Sequence, residues 1–459
     1  MGHSLDIRAD LEAIARRALS FAKADETRVI ISSDSLGQTR FAGGEITTSG
    51  GSSDRTVTIR SSFGKRSASA STNVTDDESL QRTVDLAERL AKLSPEDPES
   101  LPEPGPQQYA TIQAYDQRTA DLDAEQRAAA VSGLISAAKA VDPKQELFVA
   151  GYLEATANHG RLIANSKGLT AFHASTEVSL SNTVRTPDGT GSGWASAGAR
   201  DWGRIDAVAL GRRAAQKAVA SQNPVAIEPG RYTVILEPQA VADLVPLLRG
   251  ALSARTAEEG RSPFSRRATG QAPARGELAE TLLGEKIADE RVTIFSDPAD
   301  PEIRGTPFDN EGLPTRRRVW VENGVLKSLA YDRFWAQKRG VPETEVGGFG
   351  GGLKMVGGSQ SIEELIASTP RGILVTRNWY IRALDPRTAS YTGLTRDGTF
   401  LIENGKIARS VKNFRWNESP LLMLNRVLAI GQAERVAAGI VMPALKIADF
   451  NFASISEAV

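Results

Sequence analysis

The sequence predicts an α+β protein, with an N-terminal region of helices and antiparallel sheet followed by a β-rich C-terminal domain with a few helices. Three observations predict it. Apolar residues recur at three- and four-residue spacing in only a few windows, and these alternate with Gly- and Ser-punctuated runs of alternating polarity. Past residue 226 turn signals return roughly every 8 to 12 residues, the rhythm of short strands. Between the first windows lies SPEDPESLPEPGPQQ, whose Pro95, Pro98, Pro102, Pro104 and Pro106 forbid helix.

Residues 5 to 23 carry the first helical pattern, and RVIISS, RFAGGEI and RTVTIRSSFGKRSASAS read as short strands of a small antiparallel sheet. Asp76 to Leu93 reads as a second amphipathic helix with acidic residues in its first turn, where the helix dipole favours them. These elements define an α+β subdomain over 1–94. The Pro-rich linker, 95–108, is expected to run extended. A second α+β subdomain, 109–225, holds a helix from Asp123 to Val141, strands in GYLEATAN, GRLIANSKGLTAFHASTEVSLSN and GSGWASAGARDW, and a helix from Ile205 to Ser221. Asn165 to Gly168, NSKG, is a hairpin turn because Asn and Gly tolerate positive φ. The C-terminal domain, 226–459, opens with one long helix from Pro238 to about Glu258, then a polar Gly/Arg-rich loop, then many short strands. No fixed-period repeat is present, which argues against solenoids and propellers.

The 459 residues carry 55 Lys+Arg against 56 Asp+Glu, 3 His and no Cys. Without Cys there is no disulfide, thiol nucleophile or Cys-held metal. The formal charge of -1 lacks the basic footprint of a nucleic-acid-binding surface. The first residues, with Asp6, Asp10 and Glu12, read as a polar helix and not as a secretory leader. No stretch reaches the roughly 18 uncharged apolar residues of a membrane span. A soluble, cytoplasmic protein with no membrane or nucleic-acid partner is expected.

Few residues offer chemistry. His3 is expected to be solvated. A two-residue NSKG loop places His159 opposite Ala174 and His173 opposite Gly160, on opposite faces of the sheet, where they share no metal; a loop one residue longer reverses this. Ser192 and Ser196 stand at the wrong offsets for a nucleophile elbow. Gly347 to Gly358, GGFGGGLKMVGG, lacks both nucleotide-binding fingerprints; it is either a plain loop or, through Gly350 and Gly351, a place where a peptide or partner backbone approaches. Asp309 and Glu311 could pair as carboxylates, with Arg316, Arg317 and Arg318 as ordinary ion partners. On the strand TRNWYIRALDPRT, alternation puts Arg377 with Trp379 on one face and Tyr380 with Arg382 on the other; contact with a peptide or partner and core packing are both open. Trp320, Trp335 and Trp416 are assigned to packing.

Four segments, GRYTVILEPQAVADLVPLLRGALSA, SDPADPEIRGTPFDNEGLPTRRRVWVENGVLKSLAYDRFWAQKRG, DGTFLIENGKIARSVKNFRWNESPL and GIVMPALKIADFNF, resemble in that order the C-terminal domain of the TldD/PmbA family, often labelled modulators of DNA gyrase. TRFAGGEI, FGKRSASASTNVTDDESL and LIANSKGLTAF are similar to its N-terminal region. The resemblance implies a metallopeptidase family in which the TldD branch carries H-E-x-x-x-H, two zinc-binding His with a Glu base, and a downstream Cys ligand. The corresponding stretch here is Pro246-Leu247-Leu248-Arg249-Gly250-Ala251. Pro246 and Ala251 stand for the two His and Leu247 for the Glu, and none can ligate zinc or transfer a proton. No slip of the alignment restores the motif, since His173 is the last His.

This pattern resembles the PmbA branch, also called TldE. It implies a non-catalytic subunit, with zinc expected only in a TldD-like catalytic partner, acting on unstructured peptides through a heterodimeric metalloprotease. The expected site list therefore has no catalytic and no metal residue. It holds the degenerate positions Pro246, Leu247 and Ala251, and the peptide or partner contacts Gly350, Gly351, Arg377 and Trp379. Two other readings compete: a stand-alone homodimeric peptide-binding or scaffolding protein, and an enzyme using Asp309, Glu311 and Arg377 with a carboxylate-held metal.

Overall fold

The computed structural model describes all residues except 1, 267–276, 304 and 458–459, together with the side chains of 1–6 and 158. Part of the polar Gly/Arg-rich loop expected after Glu258, and the His3 side chain, lie outside the described residues. The fold is α+β, as the sequence predicts.

One antiparallel sheet organises the N-terminal half. Its strands are β1 (Glu26–Ala42), β2 (Glu45–Phe63), β3 (Arg66–Thr72), β4 (Phe148–Asn165), β5 (Thr170–Arg185) and β6 (Ser192–Ala199), in the order β3-β2-β1-β4-β5-β6. The strands expected to be short are long ribbons. The Ser/Gly punctuation of DSLGQ and TTSGGSS does not break β1 or β2, because Asp34 to Gln38 pair with Gly50 to Asp54 across the β1–β2 ladder and only Thr47 is left out, at a bulge. Both expected N-terminal subdomains contribute to this one sheet, with β1 hydrogen-bonded along its length to β4.

Helices α1 (Gly2–Phe21), α2 (Asp77–Leu93), α4 (Ala124–Lys139) and α5 (Ala207–Ala220) cover one face of the sheet; α3 (Gln117–Ala120) is a single turn. Caps set their starts. Asp76, Asp123 and Asp206 each accept a backbone N–H of the first turn, and Asp123 forms a capping box with Gln126. Leu11, Ile14, Leu80 and Val84 pack on Val29, Ile31, Val57, Ile59 and Leu162, while Leu134, Leu210 and Ala214 pack on Leu153, Val178 and Leu180. A bulge between Thr156 and His159 keeps Leu153 and Leu162 on the same helix-covered side despite their opposite parity.

Among the described residues of this half, the opposite face carries no helix. The turn after β4 is longer than the expected two residues: Asn165 N–H donates to Leu169 O, Gly168 sits at φ +88°, and the Asn165 Oδ1 accepts the N–H of Lys167 and Leu169. The register therefore pairs Arg161 with His173 and His159 with Ser175. Contrary to the expectation, His159 and His173 share the helix-free face.

The C-terminal half is β-rich. Strands β7 (Gly230–Leu236), β8 (Ile294–Ser296), β9 (Arg318–Glu322), β10 (Val325–Leu326), β11 (Leu353–Met355), β12 (Arg371–Asp385), β13 (Ser390–Glu403), β14 (Lys406–Ser410), β15 (Phe414–Glu418), β16 (Val427–Ala437) and β17 (Ile440–Ile455) form one sheet. The path β17-β15-β13-β12-β7 closes through β7–β17 pairing into a barrel, filled by Trp416, Phe414, Phe450 and Phe452. Trp320, Trp335 and Trp416 are all fully buried, as expected for packing residues.

The single helix expected over 238–258 is broken. It becomes α6 (Pro238–Ala242), a 3-10 segment (Val245–Leu252) and α7 (Ala254–Glu258). Pro246 brings no N–H, and Ser253 leaves the helical region at ψ 122° to cap α7 through Thr256 N–H.

Candidate functional site

A cleft of about 490 Å³ lies where the C-terminal loops meet the helix-free face of the N-terminal sheet. The TPFDNEG loop builds one wall. Asp309 Oδ1 accepts the N–H of Glu311 (2.8 Å) and Leu313 (3.0 Å), which curls the loop. The curl drives the fully buried Phe308 among Ile163, Leu169 and Ala171, edge-on to Tyr109 at 5.6 Å, while Tyr109 Oη donates to Gly312 O (2.7 Å). Burial raises the Asp309 carboxyl above the usual range, although its two N–H donors oppose this. Burial, aided by the Asp309 charge, pushes the Tyr109 phenol up to about 12. From β4, Arg161 Nη2 donates to Asn310 Oδ1 (2.8 Å).

The Gly-rich loop builds the second wall. Gly347, Gly350 and Gly351 adopt φ of +114°, +58° and +116°, which only Gly takes without strain. Gly350 O accepts Thr306 N–H (3.1 Å), and a Cβ on Gly305 would stand 1.9 Å from that same oxygen. The two loops are therefore in backbone contact. Phe349, the loop's one aromatic side chain, stacks on Trp320 with centroids 4.1 Å apart. Arg333 of α8 (Arg333–Arg339) closes the end, pairing with Glu311 at 2.9 Å and donating to Pro102 O. Glu311 thus pairs with Arg333 and not with the neighbouring Arg316 to Arg318; Arg317 pairs with Asp297 and Arg318 with Glu345. Tyr331 on the same cleft donates to Glu258 (2.8 Å), and burial with that carboxylate pushes its phenol up to about 12.

The degenerate positions lie behind the second wall. Pro246, Leu247 and Ala251 are half-buried on the 3-10 segment, with Leu247 and Ala251 packed on the C-terminal core and Leu247 O accepting from Tyr391 Oη (3.3 Å). Zinc does not fit here. The segment offers alkyl groups and one cation, Arg249, with no imidazole, thiolate or carboxylate. Among the described residues, no group of three or more His, Asp or Glu could hold a metal ion. Asp309 and Glu311 are engaged by backbone N–H groups and by Arg333 respectively, so the paired-carboxylate reading has no geometry behind it.

Arg249 joins the two sets of residues. Its Nη2 donates to Gly351 O (3.2 Å), and its guanidinium lies over the Phe349 ring at 5.1 Å. Pro246–Ala251 and Gly350–Gly351 are thus brought together. Arg377 and Trp379 are not: they lie at the junction with β6, where Arg377 is held between Trp194 (4.1 Å) and Trp379 (4.8 Å) and pairs with Asp397 at 2.9 Å. Arg377 is spent inside the molecule, whereas Trp379 is 43% exposed. Sequence reasoning passed over Arg249, Arg161 and Arg333. Arg249 was legible as the one charged side chain inside the degenerate motif; the other two depend on which strand and loop meet.

Comparison with known proteins fits this architecture. Residues 29–91, 118–222 and 229–454 match the models described as PmbA/TldA metallopeptidase domain 1, central domain and C-terminal domain. A metalloprotease of Methanothermobacter thermautotrophicus is 27% identical over 301 residues, 60% of this chain and 60% of that protein. A metalloprotease of Archaeoglobus fulgidus is 32% identical over a stretch covering 32% of this chain and 36% of that protein. The chain thus aligns with less than two thirds of the length of either relative. A metalloprotease PmbA homolog of Haemophilus influenzae is 22% identical, over 80% of this chain and 79% of that protein. The crystal structure of TldE from Thermococcus kodakarensis shares the fold, with a TM-score of 0.81, 22% identity, and coverage of 96% of this chain and 99% of that one. With all three domain models matched in order along a fold built around these same loops, the chain belongs to the PmbA/TldD metallopeptidase family.

Proposed function

We propose that the chain is a PmbA/TldE-like non-catalytic subunit of a TldD-type heterodimeric zinc metalloprotease acting on unstructured peptides. One observation carries this reading: the segment after β7, where catalytic relatives would place their ligands, is an apolar 3-10 stretch with no zinc donor, seated against the core. In this reading zinc is held by the TldD-like partner, and this chain contributes a dimer surface and part of the peptide-binding chamber. The cleft between the TPFDNEG and Gly-rich loops suits that role, because Gly lets an extended backbone come close. The neutral charge fits an effect on gyrase through peptide turnover better than DNA contact.

The test measures zinc content and cleavage of an unfolded peptide by the purified chain, alone and mixed with a TldD-type protein from the same source. Zinc and cleavage only in the mixture are expected. Chelator-sensitive cleavage by the chain alone would overturn the reading.

A further inference from the structure

The outer wall of the barrel carries a basic, aromatic face. Strand register aligns Arg377 with Arg396, Trp379 with Leu394 and Arg415, and Arg382 with Thr392. Trp416, next to Arg415, fills the barrel, so this set of partners points outward. Alternation alone would turn Arg382 to the other side. One extra residue between Trp379 and Arg382 returns it to the face of Trp379, and Tyr380 in that bulge adopts φ +53°, a conformation costly for a residue with a Cβ. Trp379 and Tyr380 nevertheless stay exposed.

The face is held from beneath. Buried Asp397 pairs with Arg377 at 2.9 Å and with Arg396 at 3.9 Å, and accepts the Ser192 hydroxyl of β6. Both guanidiniums lie over the Trp379 ring, at 4.8 and 5.3 Å, and Trp194 backs Arg377. Side chains fixed in this way lose little freedom on binding. Further out, Arg382 and Arg415 are exposed, and the acceptors that the described residues offer them are Ile381 O and Thr392 Oγ1, neither of them an acid.

Composition and charge together select the occupant. Trp, Tyr and Arg dominate protein–protein hot spots, whereas Lys, depleted at such interfaces, is missing from this set. A two-fold contact between copies would set the basic face against itself, which like charges oppose. The complementary surface is acidic and belongs to a different chain. We propose that this outer barrel face, centred on Trp379, Arg382 and Arg415, is where the TldD-like subunit docks, through acidic side chains of its own. This rests on the heterodimer reading above.

Surface plasmon resonance with the full chain and a TldD-type protein from the same source tests it. The double variant Arg382→Glu, Arg415→Glu is expected to bind about 100-fold more weakly than the parent, and Arg382→Lys, Arg415→Lys to keep most of the affinity. Added salt should weaken the parent complex more than that of the Glu variant. Arg16→Glu, Arg89→Glu, the same change of net charge on the N-terminal helices, should bind like the parent. Equal affinity of the parent and the Arg382→Glu, Arg415→Glu variant overturns the proposal while leaving the heterodimer intact. No complex with the parent overturns the heterodimer reading and the proposal with it. Self-association of the chain alone that this variant abolishes assigns the face to a second copy, and a single-stranded oligonucleotide bound by the parent but not by the variant assigns it to nucleic acid; either result overturns the proposal.

Discussion

His173 shows how burial sets protonation on the helix-free face. It is 6% exposed, its Nε2 has no partner among the described residues, and desolvation, with the nearby charges of Arg200 and His159, lowers its pKa to about 4. In the unfolded chain the imidazole titrates near 6.5. Between these values the unfolded state holds the extra proton, so stability falls as pH drops through about 6.5 and levels off below about 4. Asp243, which burial pushes up to about 6, has the opposite sign: the native state holds the extra proton, and stability falls as pH rises from about 4 to 6. The two partly cancel in the native protein. Denaturant unfolding of the parent and His173→Gln at pH 4.5 and 7 should separate them, with the parent losing more stability than the variant at the lower pH. Equal losses would show that His173 titrates normally. The pairing of His173 with Arg161 was not legible in the sequence, because one residue of turn length inverts a strand's faces, and the Asn165 side chain that sets this length by accepting the N–H of Lys167 and Leu169 is itself fixed by donating to the distant Pro104 O.

Among the elements, the Pro-rich stretch 95–108 acts as a strap. Arg28 meets Glu103 at 2.7 Å with both side chains nearly enclosed, Asn165 Nδ2 donates to Pro104 O (2.8 Å), and Arg255 of α7 grips Glu99 through two 2.7 Å bonds. Removing one partner of such a buried pair leaves an uncompensated charge. Arg28→Met is expected to lose about 3 to 5 kcal/mol, read by urea unfolding, and to open 95–108 to limited proteolysis. A stable, protease-resistant variant would show that the strap is held by its other contacts. The helices α2, α4 and α5 were legible because their starts are local: an acidic cap accepts N–H groups three residues on. The 238–258 segment was misjudged because its apolar spacing suits a helix while Pro246 and the pull of the barrel core break it.

Across the whole molecule, the two halves are joined by buried polar contacts. Lys217 of α5 reaches Glu237 at 2.6 Å and Arg213 reaches it at 3.3 Å, while Ser192 of β6 donates to Asp397 (2.7 Å), which also pairs with Arg377. Burial lowers the Lys217 pKa, and the Glu237 carboxylate opposes that. Glu237→Gln is therefore expected to destabilise the chain by about 3 kcal/mol, since Lys217 and Arg213 are left facing each other. The double variant Lys217→Met, Glu237→Leu should recover most of that loss in the same unfolding assay. A Glu237→Gln variant as stable as its parent would mean that solvent reaches Lys217.

By itself the sequence determined the α+β class, the capped helices, the buried tryptophans, and, through its motifs, the family and the lack of zinc donors at Pro246, Leu247 and Ala251. Those properties are local or compositional: a cap, a run of apolar residues, or a residue type that cannot ligate. Only the tertiary structure decided that one sheet serves both N-terminal segments, that the two histidines share a face, that Glu311 answers Arg333, and that Arg249 lies over Phe349 and donates to Gly351 O. Each of those depends on register and on which distant loop arrives. These are set by the summed packing of hundreds of residues, and no short stretch of sequence encodes them.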